Sequence, residues 1–203
     1  MAHTVADIAQ LFPDLVQIRD AALRERVAAV WDDAIRNGCG GRGWTFEELR
    51  AIPFTLLAGP IKMAFVEHLN SCARQCLRIA DVLHETFGDR VPVHRDHLLA
   101  GSLLADVGKM LDFDKDAGGK VIKGAFGDLL RHPFSGVALC YKHGLPAEVM
   151  HIVATHSHEG DKVDRSIESI IFHHADFIDF DIAKLLGKRA LAAAAAATGA
   201  KGA

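Results

Sequence analysis

Five side chains that could bind a transition metal lie at or near the apolar faces of separate predicted helices. They are His68, Asp106, His132, His156 and Asp176. A lone histidine on an apolar helix face is more often a satisfied core residue than a ligand, but five such groups favour a shared site. A buried carboxylate is costly unless it is paired or bound to a metal. Imidazole nitrogen and carboxylate oxygen are the donors that zinc, manganese, iron and nickel use, and a carboxylate can bridge two ions.

Helical patterns fill most of the sequence, and strand signals are nearly absent. Residues 14–36 place apolar side chains at a spacing close to 3.6 and predict one helix, which stops at Asn37 and Gly38. Thr45 and Glu48 have the form of a capping box at the start of the next helix. Further helices are predicted from Pro60 to Gly88, over 96–111, from Pro133 to Gly144, from Pro146 onward, and over 166–186.

The remaining segments suggest where the domain begins and ends. Residues 112–130 are polar and glycine-rich and predict an ordered loop with a short hairpin. The alanine-rich end has nothing to pack with, so we expect the last helix to end at Gly187 and the tail to fray. The prediction is an all-α protein with an N-terminal helical extension over 1–60, a core domain over 61–187 and a low-complexity tail over 188–203.

Composition excludes several classes of protein. Hydrophobic residues make up 50% and charged residues 24% of the 203 residues, as in ordinary globular domains. The formal net charge of −3 gives no electrostatic case for binding nucleic acid. No apolar run reaches the roughly 18 residues of a membrane span, and no secretory signal is recognisable. The four cysteines suggest no disulfide framework, and we expect a cytoplasmic protein that binds neither nucleic acid nor membrane.

The order of the metal-binding residues resembles the HD superfamily of metal-dependent phosphohydrolases. That family is all-helical and is named for a His-Asp pair, usually within Leu-Leu-His-Asp-Ile/Val-Gly-Lys. The resemblance covers roughly residues 64–182. The matching positions are His68, Ala105-Asp106-Val107-Gly108-Lys109, His132-Pro133, Thr155-His156 and Ala175-Asp176.

The resemblance implies an HD-like helical bundle that holds one or two divalent transition-metal ions (Mn, Fe, Zn, Ni or Co). By this resemblance Asp106 bridges the two ions, His68 and Asp176 help to hold the first, and His132 and His156 hold the second. The implied activity is attack by a metal-activated hydroxide on a phosphate ester. The implied partner is therefore a small-molecule, phosphorylated substrate.

The sequence departs from the family's pattern at one position. Where the family has the histidine of the His-Asp pair, this chain has Ala105, which offers no donor. His97 does not substitute, because it lies eight residues earlier, about 12 Å along a helix axis. The first metal site then keeps only His68, Asp106 and Asp176, and we expect crippled activity. Two explanations stay open: a natural variant with altered metal use, or a deliberate His-to-Ala replacement. The second is favoured, because the other positions of the motif are intact.

Lys109 is the candidate catalytic cation. It follows Asp106 by three residues on the same predicted helix, so both side chains reach the same side. Its ammonium could neutralise charge that develops on phosphoryl oxygens. The alternative is a solvated lysine near the C-terminal end of a helix, where the helix dipole favours cations.

Other polar side chains could contact the substrate. Arg131 precedes His132, and His158 follows His156 closely, so both are candidate substrate-binding residues. Lys120 and Lys123 could add phosphate contacts, although an exposed basic loop is the favoured explanation for each of them and for Arg131.

Sulfur and aromatic side chains allow two interpretations each. His68, Cys72 and Cys76 are spaced four residues apart and share one helix face, which makes a soft metal site conceivable. The spacing also fits small buried hydrophobes, and this interpretation is favoured.

The phenylalanines are predicted to lie in the core or in a pocket wall, which would suit a substrate with an aromatic part; they are Phe54, Phe65, Phe126, Phe134, Phe172 and Phe177.

Three alternatives to a phosphohydrolase stay open. Some HD-type proteins resemble di-iron oxygenases, although Lys109 argues against this. A metal hydroxide could also hydrolyse a non-phosphate bond, such as an amide or a ring C–N bond. A site that lacks one ligand could instead serve as a non-catalytic ligand-sensing module. The amphipathic helices of the N-terminal extension are in addition an expected surface for a homo-oligomer.

Overall fold

Helices dominate the part of the chain that the computed structural model describes, residues 2–199. The helices are α1 (Val5–Ile8), α2 (Ala21–Asn37), α3 (Phe46–Ala51), α4 (Phe65–Phe87), α5 (Arg95–Leu104), α6 (Lys109–Asp112), α7 (Ala125–Leu129), α8 (His132–Lys142), α9 (Ala147–Thr155) and α10 (Ile167–Gly199). Strands β1 (Phe113–Lys115) and β2 (Val121–Lys123) form an antiparallel hairpin. The predicted all-α bundle is confirmed, and so is the short hairpin within 112–130.

The predicted helix over 14–36 is wrong in its first part. Pro13–Gln17 is a 3-10 turn, and α2 begins only at Ala21. The Asp20 carboxylate accepts hydrogen bonds from the backbone N–H groups of Ala22 and Leu23, so it caps α2 and separates it from the turn. The capping box predicted for the next helix is confirmed, because Thr45 and Glu48 cap α3 reciprocally.

Two further predicted helices are shorter than expected. α4 begins at Phe65 and not directly after Pro60, because Pro53 and Ala64 pair as an isolated bridge that keeps the preceding segment extended. The helix predicted over 96–111 is divided into α5 and α6 by a tight turn at 105–108. A Cβ atom at Gly108 would overlap the carbonyl oxygen of His132, so the glycine lets α8 approach this turn.

The main core joins the N-terminal helices to the helices that carry the candidate ligands. Trp31 on α2 is fully buried, and its indole N–H donates to the carbonyl of Leu103 on α5, 3.1 Å away. Apolar residues of α1 to α6, α8 and α9 belong to this one cluster, whereas those of α10 pack in two smaller clusters. The boundaries predicted at residues 60 and 187 remain predictions.

The last helix is longer than predicted. α10 continues through Gly187 to Gly199, so the helix end at Gly187 and the frayed segment after it are wrong. α10 finds partners there, because Gly187 packs against the backbone of Ala58 and Leu191 lies close to Gly59. Residues 200–203 of the predicted tail lie outside the described residues. None of the helices within residues 2–199 combines the length and the apolar character needed to cross a membrane.

Candidate metal centre

Asp106 lies between two groups of potential ligands. It occupies the turn between α5 and α6 and is only 2% exposed. Its Oδ1 atom faces Nε2 of His132 at 3.3 Å and Nε2 of His156 at 3.6 Å. Its Oδ2 atom faces Nε2 of His68 at 3.7 Å and Nζ of Lys109 at 2.7 Å. The two oxygens of one carboxylate thus point to two different sets of side chains.

The first set combines residues from α4 and α10 with Asp106. His68 on α4 is buried, and its Nε2 atom lies 3.0 Å from Oδ1 of Asp176 on α10. Helices α4, α5 and α10 pack against one another, which brings these three residues together from distant parts of the sequence.

The second set consists of His132 at the start of α8 and His156 at the end of α9, facing Oδ1 of Asp106. The two Nε2 atoms are 3.3 Å apart, so the three donor atoms form a nearly equilateral triangle. Donors held about 2.0–2.2 Å from one tetrahedral ion lie roughly 3.3–3.6 Å from each other. The spacing of this set therefore fits a single cation.

An oxygen atom lies behind the Nδ1 atom of each of the three imidazoles, within hydrogen-bonding distance for His68 and His156. Nδ1 of His156 donates to the carbonyl of Val153 at 2.8 Å. Nδ1 of His68 lies 3.2 Å from Oδ2 of Asp179, and Nδ1 of His132 lies 3.7 Å from Oδ2 of Asp112. Histidines that bind metals commonly have an oxygen behind the other ring nitrogen, which fixes the tautomer and turns the ligating nitrogen inward. The three Nε2 atoms here face Asp106 in this way.

Burial and neighbouring charges shift the pKa values of the ionisable groups in the centre. Burial opposes the charge of Asp106, but Lys109 and the two histidines hold the pKa of this carboxyl well below its usual value. Burial lowers the pKa of His132 well below its usual value. Burial also acts against a charged His156, yet Asp106 raises the pKa of this imidazole. The carboxylate is therefore ionised and able to bind a cation.

A cavity of about 150 Å³ opens onto both donor sets. Lys109 and Arg131 line it on the cationic side, and Phe54, Phe177 and Phe180 line it on the aromatic side. His158 lies at the same cavity with an imidazole that is 71% exposed, and its Nδ1 atom is 3.1 Å from Asp161. The substrate-binding candidates Lys109, Arg131 and His158 thus share one cavity.

The two loop lysines do not line this cavity. Lys123 pairs with Asp128 at 3.1 Å and borders a neighbouring cavity of about 240 Å³, which also touches Lys109, Arg131 and His132. Lys120 borders a different groove beside β2. The prediction that the phenylalanines are core or pocket wall is wrong for Phe126 and Phe134, which are 46% and 56% exposed.

Sequence reasoning missed Asp179 and Asp112. Asp179 lies one helical turn after Asp176, so this spacing could have placed both on one face of the last helix. Asp112 is 5% exposed, and burial raises the pKa of its carboxyl to about 6. The sequence pattern predicts a polar loop at this position, and only the packing of α6 against α8 shows that Asp112 is buried.

The chain is similar to the dihydroneopterin 2',3'-cyclic phosphate phosphodiesterase of Methanocaldococcus jannaschii. The two are 38% identical over 120 residues, which is 58% of this chain and 46% of that relative. The chain thus spans less than half the length of the relative. No family model matches the chain. No solved structure matches it. Over more than half of its residues, the chain is therefore similar to a phosphodiesterase.

Proposed function

We propose that the chain is a metal-dependent phosphohydrolase of the HD superfamily that acts as a phosphodiesterase on a small molecule. The observation that carries this proposal is the position of Asp106, whose two oxygens face separate groups of nitrogen and oxygen donors. The name of the relative supports a phosphodiester as substrate.

The proposed ligands of the first ion are His68, Asp106 and Asp176, and those of the second are Asp106, His132 and His156. Imidazole and carboxylate donors suit Mn, Fe, Zn, Ni or Co. When bound, such ions lower the pKa of a coordinated water to near neutrality and polarise phosphoryl oxygens.

The remaining polar residues bind the substrate in this proposal. Lys109 neutralises negative charge on the phosphoryl oxygens, and Arg131 and His158 contact the ester from the rim of the cavity. Phe54 and Phe177 contact an apolar or aromatic part of the substrate. A 2',3'-cyclic phosphate attached to a flat heterocycle, as in the name of the relative, combines both features.

The proposal includes a weakened first site. Ala105 is fully buried and offers no donor where the family pattern has histidine, so we expect lower turnover than an imidazole at this position would allow. The core domain over 61–187 carries every proposed ligand, with the segment 1–60 packed on it. The predictions of a cytoplasmic location and of a homo-oligomer stand as proposals.

The test is hydrolysis of 2',3'-cyclic phosphates of neopterin and of nucleosides, after chelation and reloading with each of the five metals. We expect metal-dependent turnover in the unchanged chain, higher turnover in Ala105→His, and none in Asp106→Asn. Asp181→Asn is the matched control, because the Asp181 carboxylate is 69% exposed on α10. The proposal is wrong if neither the unchanged chain nor Ala105→His hydrolyses a phosphate ester while metal is bound.

A further inference from the structure

The side chain of Ala105 belongs to a buried cluster that also contains the thiols of Cys72 and Cys76. Ala105, Cys72, Phe172 and Ala175 belong to this cluster and are fully buried. The cluster lies where α4, α5 and α10 pack together, beside the first donor set. The donor missing at residue 105 and the thiol of Cys72 therefore belong to the same region of the core.

Cys72 is placed next to two of the proposed ligands. It follows His68 by one turn of α4, and its Sγ atom lies 3.5 Å from Nδ1 and 3.8 Å from Nε2 of that imidazole. Donor atoms of His68, Cys72 and Asp176 all lie within 4.8 Å of one another. A sulfur about 2.3 Å and a nitrogen about 2.1 Å from one tetrahedral ion lie roughly 3.6 Å apart. The separation of Sγ and Nε2 is close to this distance.

We propose that Cys72 binds the first metal ion through its sulfur, together with His68 and Asp176, and supplies the donor that Ala105 does not. The inference rests on the metal centre of the proposed function. On binding, the S–H bond breaks, the proton passes to solvent, and the sulfur lone pair forms the bond to the ion. A mixed set of sulfur, nitrogen and oxygen favours Zn²⁺, Co²⁺ or Fe²⁺ over the harder Mn²⁺.

The competing explanation is that Cys72 only fills space as a small buried hydrophobe. Cys76 separates the two explanations, since it lies one turn further along α4 and is equally buried. Among the described residues, Cys76 belongs to neither group of convergent donors. Cys72 and Cys76 therefore differ in their position relative to His68 and Asp176, and not in burial.

The experiment loads the full chain with Co²⁺ and with Zn²⁺ after chelation. With cobalt, we expect the near-ultraviolet charge-transfer band of a sulfur–cobalt bond. With zinc, X-ray absorption should show a sulfur scatterer at about 2.3 Å. Both signals should be lost in Cys72→Ser, which keeps the size of the side chain, and in Cys72→Ala. Both should be retained in Cys76→Ser and Cys76→Ala.

The outcomes separate this inference from the proposed function. Metal binding without a sulfur signal in the unchanged chain overturns the role of Cys72 and leaves the metal centre intact. A sulfur signal that persists in Cys72→Ser overturns the assignment to this residue. If neither cobalt nor zinc binds to the folded chain, both the inference and the proposed metal-dependent activity fail.

Discussion

The ammonium of Lys109 lies 2.7 Å from Oδ2 of Asp106, the same carboxylate oxygen that faces His68. Lys109 is 14% exposed at its side chain, and its Nζ atom also lies 5.5 Å from the centre of the Phe54 ring. The lysine therefore neutralises a buried carboxylate from the side on which the first ion is proposed to bind. This arrangement links the stability of the metal-free protein to Lys109.

Lys109→Met should destabilise the metal-free protein by roughly 2–4 kcal/mol, because it leaves the buried charge of Asp106 without its ammonium partner. Metal at about 100 times its dissociation constant should raise the free energy of unfolding of this variant by about 2.7 kcal/mol. Urea unfolding with and without metal measures both effects. Lys115→Met is the control, since Lys115 pairs with Glu48 at a more exposed position and should cost less than about 1 kcal/mol. Equal stability of Lys109→Met and the unchanged chain without metal would contradict the prediction.

Asp179→Asn should weaken metal binding by about 10- to 100-fold, because it removes the carboxylate behind Nδ1 of His68. Gln75 holds this carboxylate from the other side, with Nε2 2.9 Å from Oδ1 of Asp179. A competition titration with a chromophoric chelator measures the affinity. Asp181→Asn, on the exposed side of α10, should leave it unchanged. An unchanged affinity in Asp179→Asn would show that this carboxylate does not orient the ligand.

Ala105→His should bind the first metal ion more tightly and unfold more easily without it. The imidazole adds a donor, but it must enter a fully buried position, and such overpacking costs about 1–3 kcal/mol. Metal stoichiometry and thermal unfolding of the metal-free protein report the two effects separately. Ala105→Leu is the matched variant, as it overpacks the same position without a nitrogen. If Ala105→Leu gains metal affinity as well, the added imidazole is not the cause.

The contribution of Asp33 to the stability of the folded protein should be lost at low pH. Burial alone would raise the pKa of this carboxyl, but Lys142, His143 and Asn37 lower it to about 2. Its Oδ2 atom lies 2.7 Å from both Lys142 and His143. Since the folded pKa is below the unfolded value of about 3.9, the stabilisation is present above pH 4 and is lost as the pH falls towards 2.

Asp33→Asn should therefore lower the free energy of unfolding at pH 6 by about 1–2 kcal/mol. The effect is no larger because Lys142 is exposed and solvent screens its charge. The difference from the unchanged chain should shrink at pH 3 and vanish near pH 2. Urea unfolding at these pH values provides the measurement. Asp128→Asn removes an exposed pair with Lys123 and should change little at any pH. A difference for Asp33→Asn that stays constant with pH would refute the assignment.

The sequence contained enough information to predict the helical class and to select five residues that the structure brings together around Asp106 and His68. Apolar spacing indicated the helices, and the order of histidines and aspartates indicated which of them could meet. The ends of several helices could not be predicted, because they depend on packing between distant segments. The break between α5 and α6 follows from the approach of α8 to Gly108, and the length of α10 follows from its contact with Ala58. Neither contact leaves a local pattern in the sequence.

The site shows the same limit. Asp179 lies behind His68 because α4 packs against α10. The spacing of four residues along α4 already places the sulfur of Cys72 beside His68, but only this packing brings Asp176 close to both. The sequence places Cys72 one turn and Cys76 two turns after His68, but it does not show which thiol lies close to Asp176. The structure shows that Cys72 does.

The close packing of Gly187 on Ala58 has a consequence for the shape of the cavity. Thr55 and Leu57, which come just before Ala58, line one wall of the cavity, and Asp176 on α10 lines another part of it. A side chain at residue 187 would push these two segments apart. A glycine that does not itself line the cavity thus helps to set the distance between two of the segments that do.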